Sequence, residues 1–268
     1  MPVTAPGYGR AEINGVDLDV IERGAGRPIL FLHPGHPSGR LDPKAPVLDL
    51  LAQSARVVAP THPGFGDTPA PRHLTTIDDL AYLYLDLLDA MDLRNVVLAG
   101  VSLGGWIAAE MAVKSTERIS ALVLANAVGI RPGARDVREI ADIYAVTDKQ
   151  LAGLVYAEPQ RMAADPKTLR ENELIAMARS RESTGRYAWS PYMHDPKLLS
   201  RLHRVNVPAL VLWGAADRVV SLEYGRAYAA AIPKATFAVI EGAGHFPHLE
   251  RPQEFAARVL AFTSETAP

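Results

Sequence analysis

The stretch Gly100-Val101-Ser102-Leu103-Gly104-Gly105 constrains this chain more than any other. It follows the apolar run Val96-Val97-Leu98-Ala99 and precedes Trp106-Ile107-Ala108-Ala109-Glu110-Met111-Ala112. The run before it reads as a strand buried on both faces, and the segment after it as a helix. The chain must therefore turn abruptly at Ser102, whose hydroxyl would stand at the apex. The glycines answer a steric need, because side chains beside the turn would clash as strand and helix close together. A serine carried on such a turn is a candidate nucleophile. Taken alone, the stretch also admits a plain strand–helix turn with an incidental serine.

The same alternation of strand and helix runs along the chain. Asn14-Gly15 between alternating stretches from Glu12 to Glu22 is a hairpin signal. Residues 28–32 and 56–59 read as buried strands. They end in loops dense in helix breakers, His33-Pro34-Gly35-His36-Pro37 and residues 60–68. Helical spacing appears over 46–54, 104–114 and 222–231. It is clearest from Ile77 to Met91, where Thr75 or Thr76 would cap the helix. Further strands are expected at 121–125, 208–214 and 236–240, and a last helix from about Pro252 to Phe262. Strands alternating with helices imply parallel βαβ units and an α/β, doubly wound sheet. Between 128 and 205 this rhythm breaks. Helical stretches are expected there at 134–145, 148–157 and 167–181, separated by Pro159, Asp165-Pro166, Gly185, Pro191 and Asp195-Pro196. An all-helical insertion of this kind reads as a cap, or lid, over the carboxyl edge of the sheet. The expected division is a core of 1–127 and 206–268 with a cap of 128–205.

Composition narrows the class. The chain has 268 residues, 48% of them hydrophobic, enough for a sizeable core. A formal net charge of −2, with no long run of like charge, speaks against a nucleic-acid partner or a polybasic membrane surface. No stretch approaches the roughly 18 apolar residues of a membrane span. The N-terminus lacks the basic and apolar regions of a signal peptide. With no cysteine there is no disulfide, thiolate nucleophile or cysteine metal site. These features predict a cytoplasmic protein that acts on a small molecule, with no metal, cofactor, nucleic-acid or membrane partner. Monomer and homodimer are both open.

Ligands of open parallel sheets bind outside the carboxyl ends of the strands. Ser102, Asp217 and His245 all follow predicted strands, in that chain order. A serine hydroxyl needs an adjacent base, histidine can take and return its proton, and a carboxylate holds the imidazole in the right tautomer. Asp217 alone could instead cap the helix after it. Asn126, after the preceding strand, cannot carry the required charge, which favours Asp217. His245 can project from the tight loop at Gly244, and His248 is its nearest rival. His33, His36 and His62 lie in other loops of the same edge and are expected to shape the pocket. His73, His194 and His203 read as surface or lid residues. An oxyanion hole needs backbone N–H groups aimed at the developing charge. Leu103 would supply one, at a helix N-terminus. In the loop after 28–32, Pro34 has no N–H, so Gly35 is the expected second donor, with His36 as the alternative. His36, Trp106, Tyr144, Trp189 and Phe246 are candidates for substrate contact.

Together these motifs resemble the α/β-hydrolase superfamily, in the helical-cap branch with a serine nucleophile. That branch includes carboxylesterases, enol-lactonases, C–C bond hydrolases of meta-cleavage products and cofactor-free haloperoxidases. The resemblance covers the first hairpin, His33-Pro34-Gly35, Pro63-Gly64-Phe65-Gly66, the stretch around Ser102, Trp213-Gly214-Ala215-Ala216-Asp217 and residues 244–252. It implies a mostly parallel eight-stranded sheet with an inserted helical cap. It also implies that Ser102, Asp217 and His245 are nucleophile, acid and base, with Gly35 and Leu103 as oxyanion donors. Two departures stand out: His33-Pro34 replaces the usual His-Gly, and Thr61-His62 stands where an Asp often begins the Pro-Gly-x-Gly loop. Serine at 102 argues against the haloalkane dehalogenases and epoxide hydrolases of similar pattern, which use aspartate there.

The default expectation is a carboxylic ester hydrolase acting, with water, on a small to medium apolar ester. The Met and aromatic content of the cap points to an apolar pocket. A C–C bond hydrolase or enol-lactonase with the same three residues is the alternative, and a non-catalytic ligand-binding protein is a more distant one. C–C hydrolases of this branch often carry a tryptophan after the histidine and an arginine under the cap. Here Phe246 follows His245, while Arg161, Arg170, Arg179, Arg181 and Arg186 are available in the cap.

Overall fold

The Asn14-Gly15 turn, with φ of 51° and 80°, joins β1 (Gly9–Ile13) to β2 (Val16–Arg23) as an antiparallel hairpin. These positive φ values suit Asn and Gly, and they match the strand twist of a two-residue turn. The computed structural model describes residues 9–35, 42–134, 136–162 and 166–267. After the hairpin come β3 (Pro28–Leu32), α1 (Pro46–Ala52) and β4 (Arg56–Pro60). The next elements are α2 (Ile77–Ala90), β5 (Val96–Val101), α3 (Leu103–Lys114) and β6 (Ile119–Ala125). The order across the eight-stranded sheet is β1-β2-β4-β3-β5-β6, then β7 (Ala209–Gly214) and β8 (Ala235–Ile240). From β4 onward every pairing is parallel. The expected α/β class and mostly parallel sheet are thus the observed ones.

All residues of β5 and β7 are buried, as continuous apolar strands between two helical layers must be. On the flanks α1 lies against α10 (Pro252–Glu265), which follows the short α9 (Pro247–Glu250), α2 lies against α3, and α8 (Leu222–Ala231) against β7 and β8. Helix α2 starts where its cap residue dictates. Thr76 Oγ1 accepts the Asp79 N–H, and the Asp79 carboxylate accepts the Thr76 N–H in return.

Between β6 and β7 lie α4 (Asp148–Val155), α5 (Pro159–Met162), α6 (Glu171–Ala188) and α7 (Leu198–Arg201). The expectation of helix over 134–145 is not met. Backbone groups there take tertiary partners instead of forming helical i to i−4 bonds. Ile140 bridges Val220, the Ala141 N–H donates to Val219 O, and the Tyr192 hydroxyl joins Ala141 O to the Ile143 N–H. The helix expected over 167–181 runs instead from 171 to 188, straight through Gly185. Its buried residues are Ser180, Ser183, Thr184, Tyr187 and Ala188, whereas Leu174 and Ile175 are exposed. Apolar periodicity misplaces this helix because its inner face is polar. Among the described residues, no helix is long and apolar enough to cross a membrane.

Candidate active site

Ser102 sits between β5 and α3 with φ 52° and ψ −114°, a backbone conformation L-residues rarely adopt. The turn is as tight as its glycines imply. A Cβ on Gly100 would overlap the carbonyl of Gly104, and one on Gly104 would overlap the carbonyl of Leu32. The Ser102 N–H donates to Ala125 O at 2.9 Å, which continues the β5–β6 ladder into the turn.

β5, β6, β7 and β8 are consecutive in the sheet, so the loops after them converge at one edge. His245 Nε2 lies 2.8 Å from Ser102 Oγ, and His245 Nδ1 lies 2.8 Å from Asp217 Oδ2. Ser102, Asp217 and His245 are therefore brought together as a hydrogen-bonded chain. An ionised carboxylate only accepts, so Nδ1 carries the ring hydrogen and Nε2 is left to accept from the serine hydroxyl. Asp217 is held at both oxygens. Oδ2 also accepts from Asn126 Nδ2 at 2.7 Å, while Oδ1 accepts the N–H groups of Val219 and Val220 at 2.8 and 3.1 Å. Asn126 is itself fixed, with its oxygen accepting the Gly214 N–H at 3.2 Å. Asn126, which cannot carry a charge itself, thus orients the Asp217 carboxylate. His248 packs against Phe31, Phe246 and Phe255 and is 1% exposed. It does not compete for Ser102.

The first intrahelical bond of α3 runs from the Trp106 N–H to Ser102 O, so the Leu103 N–H has no acceptor within the helix. Gly35 lies beside it. A Cβ on Gly35 would stand 3.7 Å from Leu103 Cδ2 and 2.8 Å from Thr184 Oγ1 of α6. Helix α6 is fastened to the loops below by donors from its polar face. Ser183 Oγ donates to Gly64 O at 2.7 Å and the Tyr187 hydroxyl to Pro63 O at 3.0 Å.

The other candidates are placed differently. His36 lies outside the described residues. The Trp106 indole is buried against Gly129 and donates to Glu110, so it is taken up by core contacts. Tyr144 and Trp189 form an edge-to-face pair at 5.4 Å. Trp189 borders an outer cavity of about 500 Å³ with Tyr192, His194 and Ile130. Phe246 is buried, 5.1 Å from the His245 ring and 6.0 Å from Tyr156. Arg161, Arg170, Arg179 and Arg181 are substantially exposed and pair with Glu158, Glu173, Asp67 and Asp148, while Arg186 donates to Pro71 O. Among the described residues, no group of three or more His, Asp or Glu side chains is arranged to hold a metal ion.

Sequence reasoning misses two contributors. Glu250 accepts the N–H groups of Gly244 and Ala157, both at 2.8 Å, and burial raises its carboxyl above the ordinary range. Its place five residues after His245 is the only sequence signal for it. Tyr84, on the buried face of α2, reaches His62. Nothing in its helical spacing distinguishes it from a core residue.

Residues 29–258 match the model of the alpha/beta hydrolase family. The chain is 28% identical to a 2-hydroxy-6-oxo-6-(2'-aminophenyl)hexa-2,4-dienoic acid hydrolase of Metapseudomonas resinovorans, over 94% of this chain and 89% of that one. It is 26% identical to a 2-hydroxymuconate semialdehyde hydrolase of Pseudomonas sp. (strain CF600), over 98% and 96%. A thermophilic esterase from Thermogutta terrifontis superposes with a TM-score of 0.73 at 21% identity, covering 97% of this chain and 99% of the other, a likeness of fold. With its mostly parallel sheet and the family match over most of its length, this chain belongs to the alpha/beta hydrolase family.

Proposed function

We propose that this hydrolase cleaves a carboxylic ester of a small to medium apolar substrate through an acyl-enzyme on Ser102. The carrying observation is the chain of 2.8 Å contacts from Ser102 Oγ through His245 to Asp217, with Gly35 packed close to Leu103. In this reading His245 Nε2 takes the Ser102 proton as Oγ attacks the ester carbonyl, and Asp217 stabilises the imidazolium that forms. The N–H groups of Gly35 and Leu103 receive the oxyanion. His245 returns the proton to the departing alcohol, and a water activated by the same nitrogen releases the acid. Residues 128–205 act as a lid, with α6 closing over the oxyanion loop.

The second reading, hydrolysis of a C–C bond, draws on the relatives, which are dienoate and semialdehyde hydrolases by name. An ester is preferred because Phe246 follows His245, and because Arg161, Arg170, Arg179 and Arg181 pair with acidic residues on the exposed side while Arg186 is turned to the carbonyls of Pro71 and Arg72. A substrate carboxylate would need a free guanidinium. Turnover of p-nitrophenyl acetate and butyrate beside a meta-cleavage dienone separates the two. Faster consumption of the dienone would replace the ester reading with the C–C one. A fluorophosphonate should label the wild type and not Ser102→Ala. Absence of label would remove the acyl-enzyme from both.

A further inference from the structure

The two departures from the family pattern, Pro34 and Thr61-His62, meet in space. The rings of His33 and His62 stack with centroids 3.8 Å apart, and both residues are buried. Their hydrogen bonds assign every ring proton. The His62 backbone N–H donates to His33 Nε2 at 2.9 Å, so that nitrogen carries no hydrogen. The hydrogen of the neutral His33 ring is then on Nδ1, which lies 2.7 Å from the carbonyl oxygen of Pro34 and donates to it. In His62, Nε2 donates to His33 O at 2.8 Å, and Nδ1 accepts from the Tyr84 hydroxyl at 2.5 Å. Burial, and next the nearby His33, push His62 well below the usual histidine range, while burial pushes the Tyr84 phenol well above its own. Both directions agree with a neutral ring facing a protonated hydroxyl.

The Pro34 carbonyl and the Gly35 N–H belong to one planar peptide unit and point in opposite directions. This unit turns about ψ of Pro34 and φ of Gly35, and because the proline ring locks φ at position 34, ψ is the one soft torsion that residue retains. The bond from His33 Nδ1 to Pro34 O holds that torsion. Thr184, in contact range of Gly35, limits movement from the other side.

We propose that His33, kept in its Nδ1–H tautomer by the His62 backbone N–H and held at its own carbonyl by the His62 ring that Tyr84 orients, is a positioning residue that aims the Gly35 N–H at the oxyanion. The proposal rests on the serine-hydrolase reading above. Proline at 34 restricts the loop, and the buried His33–His62–Tyr84 relay sets the one rotation that proline leaves free.

The test compares wild type with His33→Ala, His33→Gln and Tyr84→Phe. It measures kcat and KM for p-nitrophenyl butyrate, and inhibition by an aryl trifluoromethyl ketone, whose adduct with Ser102 carries an oxyanion. His33→Ala should lower kcat by roughly 10–100-fold, short of the ~10²–10³-fold cost of deleting an oxyanion donor. It should leave KM nearly unchanged and weaken the ketone in parallel with kcat. His33→Gln, which keeps an N–H donor, should recover part of both. Tyr84→Phe should shift both the same way by a smaller factor. A purely structural role would lower the folded fraction without coupling kcat to ketone affinity. A folded His33→Ala with both quantities within about twofold of wild type overturns the proposal. Should that variant not fold, a folded Tyr84→Phe indistinguishable from wild type does the same. Wild type that takes no fluorophosphonate label overturns the serine-hydrolase reading and this proposal with it; labelled wild type with unaffected variants overturns this proposal alone.

Discussion

The backbone N–H of His245 donates to the carbonyl oxygen of Val155 at 2.6 Å, tying the loop that carries the imidazole to the last turn of α4. The preceding carbonyls of that turn are also answered. Leu154 O accepts the Arg218 N–H at 3.1 Å, and Gly153 O accepts Arg218 Nη1 at 2.8 Å. The carbonyls at a helix C-terminus need such partners from outside the helix. Here they come from Arg218, next to Asp217, and from His245 itself. Glu250 completes the tie by accepting from Gly244 and Ala157 together.

Glu250→Ala leaves those two N–H groups without their acceptor, at roughly 1–3 kcal/mol for each that stays dry. The melting temperature should fall by about 5–10 °C for a chain of this size. Activity per folded molecule should fall as well, because the His245 loop loses an anchor. A calorimetric scan matching wild type would show that water replaces the carboxylate at no cost.

Asp217→Asn should reduce kcat by roughly 10⁴-fold, the cost of the wrong histidine tautomer. Every neighbour described for the Asp217 carboxylate is a donor: Asn126, His245, Val219 and Val220. An amide must turn its NH2 toward some of them. Steady-state ester hydrolysis, with circular dichroism to establish folding, checks this. Activity within tenfold of wild type would mean that another carboxylate serves His245.

The φ of 52° at Ser102 stores backbone strain that glycine would relieve. Ser102→Gly and Ser102→Ala should both be inactive. Ser102→Gly should nevertheless be the more stable by about 1 kcal/mol, even though glycine costs more chain entropy on folding. Urea denaturation of the two variants gives the comparison directly. Greater stability of the alanine variant would place the strain elsewhere.

His62 predicts a pH dependence of stability. Its pKa in the folded protein lies well below 6.5, so under mildly acidic conditions the unfolded chain binds a proton that the folded one does not. Its contribution is present above pH 6.5 and is lost as pH falls below that value toward the folded pKa. The slope cannot exceed about 1.4 kcal/mol per pH unit for one proton. Denaturation midpoints between neutral pH and pH 5, in wild type and His62→Asn, isolate the effect. Parallel curves for the two proteins would exclude His62 as its source.

The parts of this protein that sequence makes legible are those specified by short-range rules. Residues 96–99 read as a buried strand because all four are apolar, and Gly100 is required by its close approach to the Gly104 carbonyl across the turn itself. The strand ends at Ala125, Gly214 and Ile240 locate the loops that hold Asn126, Asp217 and His245 in the same way. Parallel strands in order then bring these loops to one edge.

Other features depend on surfaces contributed by distant parts of the chain. Helix α6 buries Ser180, Ser183, Thr184 and Tyr187 because the loop it covers presents backbone carbonyls, and carbonyls require donors. A hydrophobic pattern carries no trace of that demand. Residues 140–143 forgo helix for bonds to Val219, Val220 and Tyr192, each more than 45 positions away. His33 and His62, 29 residues apart, read as two unrelated irregularities until the fold stacks their rings and their hydrogen bonds fix both tautomers. By itself, then, the sequence determined the sheet, the turn at Ser102 and the strand-end loops that carry Asp217 and His245, because local sterics and burial suffice for them. Only the tertiary structure decided what orients these groups, since a hydrogen bond needs its partner within about 3 Å and folding alone supplies that partner.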